Sequence, residues 1–143
     1  MVAILVVLGA LPFVIGGIQN WYWLTYMDSI LPIRLASILF LLVWGSIAFL
    51  VKGNRQRARK VVIFLNLIAA LDLLLLGVQE LILHAYFLNI IGRYSQHFYL
   101  PIIWLGARLT RWSHSTFPAY VASFLLMVGA SFIGCKLKGK LKK

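Results

Sequence analysis

The chain has 143 residues, of which 62% are hydrophobic and 12% are charged, and its mean hydropathy is +0.93. Soluble domains are about 45 to 50% apolar and about 25% charged, so this composition excludes an ordinary soluble domain and indicates an integral membrane protein. Because a spanning helix needs about 20 apolar residues, the length allows four spans with short connections, and we expect a single membrane domain over residues 1–143.

The first two predicted spans lie in the N-terminal part of the chain. The first covers about residues 2–19 and lacks the basic start and the small-residue cleavage site of a signal peptide, so we expect a retained helix. The second covers about residues 30–51. It has Pro32 in its first turn and ends at the basic loop KGNRQRARK, a pattern that is typical of a helix start and a membrane exit.

The third predicted span, about residues 61–91, is longer than a bilayer requires, so it must tilt or project beyond the lipid. The fourth covers about residues 118–136. Between them lie residues 92–117, whose apolar middle is interrupted by Pro101 and Gly106 and is too short to cross. We expect this segment to lie along the outer surface, with three arginines among the lipid phosphates: Arg93, Arg108 and Arg111.

These spans predict an all-α membrane protein, a compact bundle of four transmembrane helices with an interfacial outer segment between helices 3 and 4. Charge placement predicts its orientation. The net charge is +11, and ten of the fourteen Lys and Arg residues lie in two tracts, Lys52 to Lys60 and Lys136 to Lys143. Basic tracts at span ends mark the cytoplasmic side, so both termini are expected in the cytoplasm, in the cell (plasma) membrane, and nucleic acid is not an expected partner.

The aromatic residues support the same orientation, because Trp and Tyr collect at membrane interfaces. Trp44 is the exception among them. The other Trp and Tyr residues fall at the predicted outer side: Trp21, Tyr22, Trp23, Tyr26, Tyr86, Tyr94, Tyr99, Trp104, Trp112 and Tyr120.

The third predicted span carries most of the intramembrane polar residues. The whole chain has only three acidic residues, and two of them lie in this span. Successive helical residues turn by about 100°, which places the polar side chains within an arc of about 140°. A charged side chain at the bilayer centre costs at least about 2.5 to 3.5 kcal/mol, so this arc should face protein or water. It contains Asn66, Asp72, Gln79, Glu80 and His84.

Depth along the helices suggests partners for these groups. Arg34 lies about 6 Å below the outer end of span two, and Glu80 lies close to the outer end of span three. An Arg34 to Glu80 ion pair is therefore predicted, either to fix the register of two helices or to serve function directly. His84, one turn from Glu80, either joins the pair or reaches the lipid headgroups.

Asp72 lies near mid-membrane with no basic residue at its depth. A neutral carboxylic acid, hydrogen-bonded to a neighbouring helix, is the plain interpretation of such a residue. A proton or cation binding site is the alternative.

The sequence contains none of the short motifs typical of soluble catalytic sites, and its one cysteine, Cys135, cannot form an intrachain disulfide. We predict no catalytic residue, metal or cofactor. The leading hypothesis is a non-enzymatic polytopic membrane protein: a small subunit of a membrane complex, or a component of an ion or small-solute transporter. Membrane lipids are expected partners, with protein partners or a homo-oligomer possible. The alternative is an interfacial enzyme or binder acting on an anionic lipid at the outer leaflet, through Glu80, His84 and the outer arginines.

Overall fold

The computed structural model describes residues 2–26, 33–52, 58–83 and 90–140, with only the backbone described at 90–93 and 140. Every regular element in these ranges is a helix, so the all-α prediction is confirmed for them. The elements are α1 (Val2–Gly9), α2 (Leu11–Thr25), α3 (Ile33–Val51), α4 (Ala58–Leu65), α5 (Leu67–Gly77), a π-helical turn (Val78–Ile82), α6 (Ile90–Tyr99), α7 (Ile103–Leu109) and α8 (Phe117–Lys140).

Three helical stretches of the described chain are long and apolar enough to cross a membrane: Val2–Thr25, Ile33–Val51 and Phe117–Gly139. A fourth, Ala58–Leu65 followed by Leu67–Ile82, passes the same test only as a pair, because it bends by 45° between its halves. The membrane character of the chain agrees with the prediction. By length and composition, the described residues therefore provide three candidate spans, or four if the bent pair crosses as one.

Asn66 lies at this bend. Its backbone dihedrals, φ −101° and ψ 11°, depart from those of an α-helix, and its side-chain amide donates back to the Val62 carbonyl at 2.9 Å. A polar side chain that bonds to the preceding turn competes with the regular helical ladder, which explains why the helix breaks here.

Helix α8 is the central element, since it contacts α3, α4, α5, α6 and α7. It packs most extensively against α3, and the two helices run in the same direction: Gly45 meets Ala130 and Gly134, and further along Leu50 meets Lys138. A Cβ at Gly134 would collide with the Gly45 carbonyl. Small residues of this kind let membrane helices approach closely where no hydrophobic force drives them together.

Helices α6 and α7 form a helical hairpin whose turn lies inside the bundle. The fully buried residues at the turn are Phe98, Tyr99, Pro101 and Ile102. The Tyr99 hydroxyl reaches the backbone of Ala69, which precedes Glu80 by eleven residues, or about 16 Å of helix. The hairpin therefore descends deep along α5. This differs from the predicted segment lying along the outer surface.

Two glycines allow the backbone of this hairpin to pack closely against its neighbouring helices. Gly16 of α2 lies against the His97 carbonyl of α6, and Gly106 of α7 lies against the Ala119 carbonyl of α8, and neither position has space for a Cβ. Non-helical backbone at membrane depth must be buried in protein to satisfy its polar groups. The turn at residues 100–102 meets that condition because these close approaches enclose it.

The aromatic residues divide into two groups in the structure. Trp21, Tyr26, Tyr94 and Trp112 are more than half exposed, as expected of an interfacial belt. By contrast, Tyr99 and Tyr120, predicted for that belt, are buried, with ring centroids 5.6 Å apart. The bundle thus has an aromatic end, marked by the exposed group, and a lysine end, where α3 and α8 terminate.

Candidate functional site

The polar residues of the broken α4–α5 helix face the protein interior. Asn66, Asp72 and Gln79 are only 3%, 3% and 4% exposed. Asn66, Asp72, Gln79 and Glu80 form a polar stripe along this helix. Polar groups in hydrocarbon are stable only when another protein group binds them, so the contacts of each side chain decide what the stripe does.

Asn66 joins three parts of the bundle. The Trp44 indole N–H of α3 donates to the Asn66 side-chain oxygen at 3.2 Å. The Asn66 amide nitrogen donates to the Ser131 hydroxyl of α8 at 2.9 Å, in addition to its bond to the Val62 carbonyl. All three side chains are buried. A bond network of this kind fixes the positions of α3 and α8 around the bend.

Asp72 faces helix α6. Its carboxyl group is hydrogen-bonded with the Ser95 side chain, which is itself buried. One turn away, the Tyr99 hydroxyl donates to the Ala69 carbonyl at 2.6 Å. These two contacts hold α6 against α5. One Asp72 oxygen, Oδ2, and the Gln79 oxygen Oε1 are also buried, and neither has a hydrogen-bond partner among the described residues.

Glu80 binds the start of α8. Its carboxylate accepts hydrogen bonds from the Ser115 hydroxyl, from the Thr116 hydroxyl at 3.0 Å and from the Phe117 backbone N–H at 3.1 Å. The first N–H groups of a helix have no partner within the helix, and a negative charge there is favoured by the helix dipole. Glu80 therefore acts as a cap supplied from another segment.

The predicted Arg34 to Glu80 ion pair is not found among the described contacts. The Arg34 guanidinium carbon instead lies 5.4 Å from the ring centroid of Trp104 in α7, and the Arg108 guanidinium carbon lies 5.2 Å from the same ring. Donors just before α8 and at its first residue occupy the Glu80 carboxylate. Arg34, on α3, reaches the hairpin instead.

The remaining predicted residues give a mixed result. Arg108 and Arg111 are exposed near the aromatic end, while the side chains of Arg93 and His84 lie outside the described residues. Phosphate binding by the outer arginines stays a prediction. In the described part of the chain, no three His, Cys, Asp or Glu side chains form a group able to hold a metal ion.

Grooves lie between neighbouring helices on the described surface of the bundle. The α3–α8 groove has a volume of about 530 Å³ and is lined almost entirely by apolar side chains and by Gly45 and Gly134. The α2–α3 groove, of about 370 Å³, is apolar except for Gln19 and Tyr22 and includes Pro101 from the hairpin turn. Asp72 lines neither groove, and neither does any arginine.

Sequence reasoning missed the partners of the stripe. Ser95 and Tyr99 lie in the segment predicted to rest on the outer surface, and Ser115 and Thr116 lie in the connection before α8. One signal was present for Trp44, the only Trp or Tyr away from the predicted outer side. A tryptophan inside a span usually needs an acceptor for its N–H, and Asn66 is the acceptor here.

Apolar helices of spanning length, joined by buried polar contacts, define this chain as a polytopic α-helical membrane protein. Comparison with known proteins finds no matching family model, curated protein or solved structure.

Proposed function

We propose that this protein is a non-enzymatic small subunit of a membrane complex in the cell membrane, with both termini cytoplasmic. One observation carries the proposal: three polar residues of the stripe bind neighbouring elements. Asn66 binds α3 and α8, Asp72 binds α6, and Glu80 binds the start of α8. Side chains used in this way position helices, which is what a small membrane subunit requires of them.

Gentle purification tests this role. The tagged chain is expressed in its native membrane, cross-linked there at short range, solubilised in a mild detergent and sized. We expect one or more polypeptides to be retained at fixed stoichiometry, and a particle larger than the 16.2 kDa chain in its micelle. The Trp112→Ala variant, altered at an exposed residue of the aromatic end, serves as a matched control for surface effects. A chain that migrates alone, before and after cross-linking, contradicts the proposal.

A second candidate function is a component of a proton or cation pathway. The observation that favours it is the pair of buried acceptor oxygens, Asp72 Oδ2 and Gln79 Oε1, two helical turns apart on nearly the same face. Buried acceptors without a donor are the kind of group that binds a proton or cation.

Flux measurements distinguish this candidate. The purified chain is reconstituted in vesicles, and the decay of an imposed pH or cation gradient is recorded. Asp72→Asn removes the titratable group but keeps a hydrogen-bonding side chain. Ser95→Ala removes the hydrogen bond between Ser95 and Asp72 and leaves the carboxyl group. A pathway predicts loss of flux in the first variant and retention in the second. Equal decay in wild type and Asp72→Asn excludes the pathway.

The outer-leaflet lipid role has less support, because Glu80 is engaged with the first turn of α8. What favours it is the exposure of Arg108 and Arg111 near the aromatic end. Binding of an anionic lipid at this surface can be tested separately from catalysis. If the exposed arginines bind such a lipid, Arg111→Gln should weaken its retention by the purified protein; unchanged retention would contradict this role.

A further inference from the structure

The lysine end of the bundle has a reciprocal arrangement between α3 and α8. The Lys52 ammonium, just after α3, donates to the Cys135 carbonyl of α8 at 2.8 Å. The Lys138 ammonium of α8 donates to the Leu50 carbonyl of α3 at 2.9 Å. Because the two helices are parallel, their negative dipole ends lie side by side. Each lysine offsets the partial negative charge at the end of the other helix.

The α3–α8 groove runs along the surface to this lysine end. Its floor is the close contact between Gly45 and Gly134, which leaves no side chain to fill it. Its walls include Leu42 and Phe49, and its last lining residue on α8 is Leu137. A volume of about 530 Å³ lies within the range of about 300 to 1,000 Å³ that small-molecule sites occupy.

One cationic side chain, Lys138, lies at the end of the groove. Lys138 follows Leu137, and its ammonium lies 5.6 Å from the ring centroid of Phe49, a wall residue. The Lys136 ammonium lies instead 4.8 Å from the ring centroid of Phe132, a residue that does not line the groove. An ammonium group has three donors, and Lys138 gives one of them to the Leu50 carbonyl. The chain's three acidic residues are Asp28, Asp72 and Glu80, and none of them belongs to α3 or α8. The positive charge at the end of the groove therefore favours the binding of an anion.

We propose that the α3–α8 groove binds one anionic phospholipid, with an acyl chain along the groove and the phosphate at Lys138. An apolar groove that ends at an ammonium group matches the acyl chain and the phosphate of such a lipid. Basic pockets between spanning helices recognise anionic headgroups, and each lysine near the surface contributes about 1 kcal/mol. This site lies at the opposite end of the bundle from the outer arginines and does not depend on the proposed subunit role.

Native mass spectrometry of the full chain tests the site. The protein is delipidated in detergent and titrated with phosphatidylglycerol or with phosphatidylcholine of identical acyl chains. We expect one phosphatidylglycerol molecule to bind in clear preference to phosphatidylcholine. Lys138→Gln should weaken that binding about fivefold. The matched control is Lys136→Gln, because the Lys136 ammonium lies over Phe132 and outside the groove, and it should leave the binding unchanged.

A second variant separates the groove from simple surface charge. Ser46 lines the groove, and Ser46→Phe fills it without altering any lysine. This variant should abolish the preferred binding, whereas Val7→Phe, on a residue of α1 that is 70% exposed, should not. Equal binding of the two lipids, or full binding by Ser46→Phe, overturns the proposal.

A protein occupant of the groove is distinguished by cross-linking. Leu42→Cys places a thiol in the groove wall, and oxidation in native membranes tests whether a second copy or a partner helix covers it. With a lipid in the groove, no disulfide-linked species forms. A disulfide-linked dimer or heteromer at high yield overturns the lipid assignment.

Discussion

At the scale of single residues, the polar groups of the broken helix have separate structural tasks. Asp72 binds α6 through Ser95, and Glu80 binds the first turn of α8. The helical arc predicted from sequence placed Asn66, Asp72 and Gln79 together, and all three are buried. Their partners were not predictable, because donors such as Ser95 lie far along the chain and meet the stripe only after the hairpin folds.

The Glu80 cap leads to a direct prediction. Glu80→Ala removes the acceptor for the Phe117 N–H and for the Ser115 and Thr116 hydroxyls. Loss of a capping side chain costs about 0.5 to 2 kcal/mol, so the free energy of unfolding should fall by about that amount. Unfolding in a detergent titration, followed by circular dichroism, measures it.

The matched variant is Glu80→Gln, which retains an acceptor oxygen and loses only the charge. It should cost less than the alanine variant. Wild-type stability in Glu80→Ala would show that the first turn of α8 does not depend on this carboxylate.

At the scale of elements, the α6–α7 hairpin depends on how closely its backbone approaches α2 and α8. Sequence reasoning predicted from Pro101 and Gly106 that this segment does not cross, but placed it on the surface. It did not predict the depth of insertion, because hydropathy cannot distinguish an apolar turn in lipid from one packed against a helix. Gly16 and Gly106 decide that question through their contacts.

Adjacent glycines in α2 allow a controlled test of hairpin packing. A Cβ at Gly16 would collide with the His97 carbonyl, whereas one at Gly17 would meet no atom within 4 Å. Gly16→Ala should lower stability by about 1 to 3 kcal/mol through overpacking, while Gly17→Ala should be neutral or stabilising by up to about 1 kcal/mol. Thermal unfolding of both variants in the same detergent measures the difference. Equal stabilities would contradict the buried hairpin.

At the scale of the whole molecule, the number of crossings is decided by the broken helix. The loop before α4 and the end of α8 are both basic, and they lie on the same side only if the bent pair and α8 both cross. The bend of 45° at Asn66 is compatible with crossing because its polar groups bind Trp44 and Ser131 within the bundle.

Cysteine accessibility in intact cells tests this topology. Lys60→Cys and Lys136→Cys, each in a Cys135→Ser background, place thiols at exposed positions near the two basic tracts. Both should resist an impermeant reagent applied from outside and react after permeabilisation. Labelling of one thiol from outside and not the other would mean that the bent pair does not cross.

The sequence by itself determined that this is a helical membrane protein, where its apolar runs lie, and which side of the broken helix is polar. These properties depend on local composition and on the helical period, which every residue carries with it. Only the tertiary structure decided that the hairpin enters the bundle, that Glu80 caps α8, and that Arg34 lies over Trp104. The reason is physical: lipid is as apolar as the side chains facing it, so close backbone approach and available donors select which helices meet.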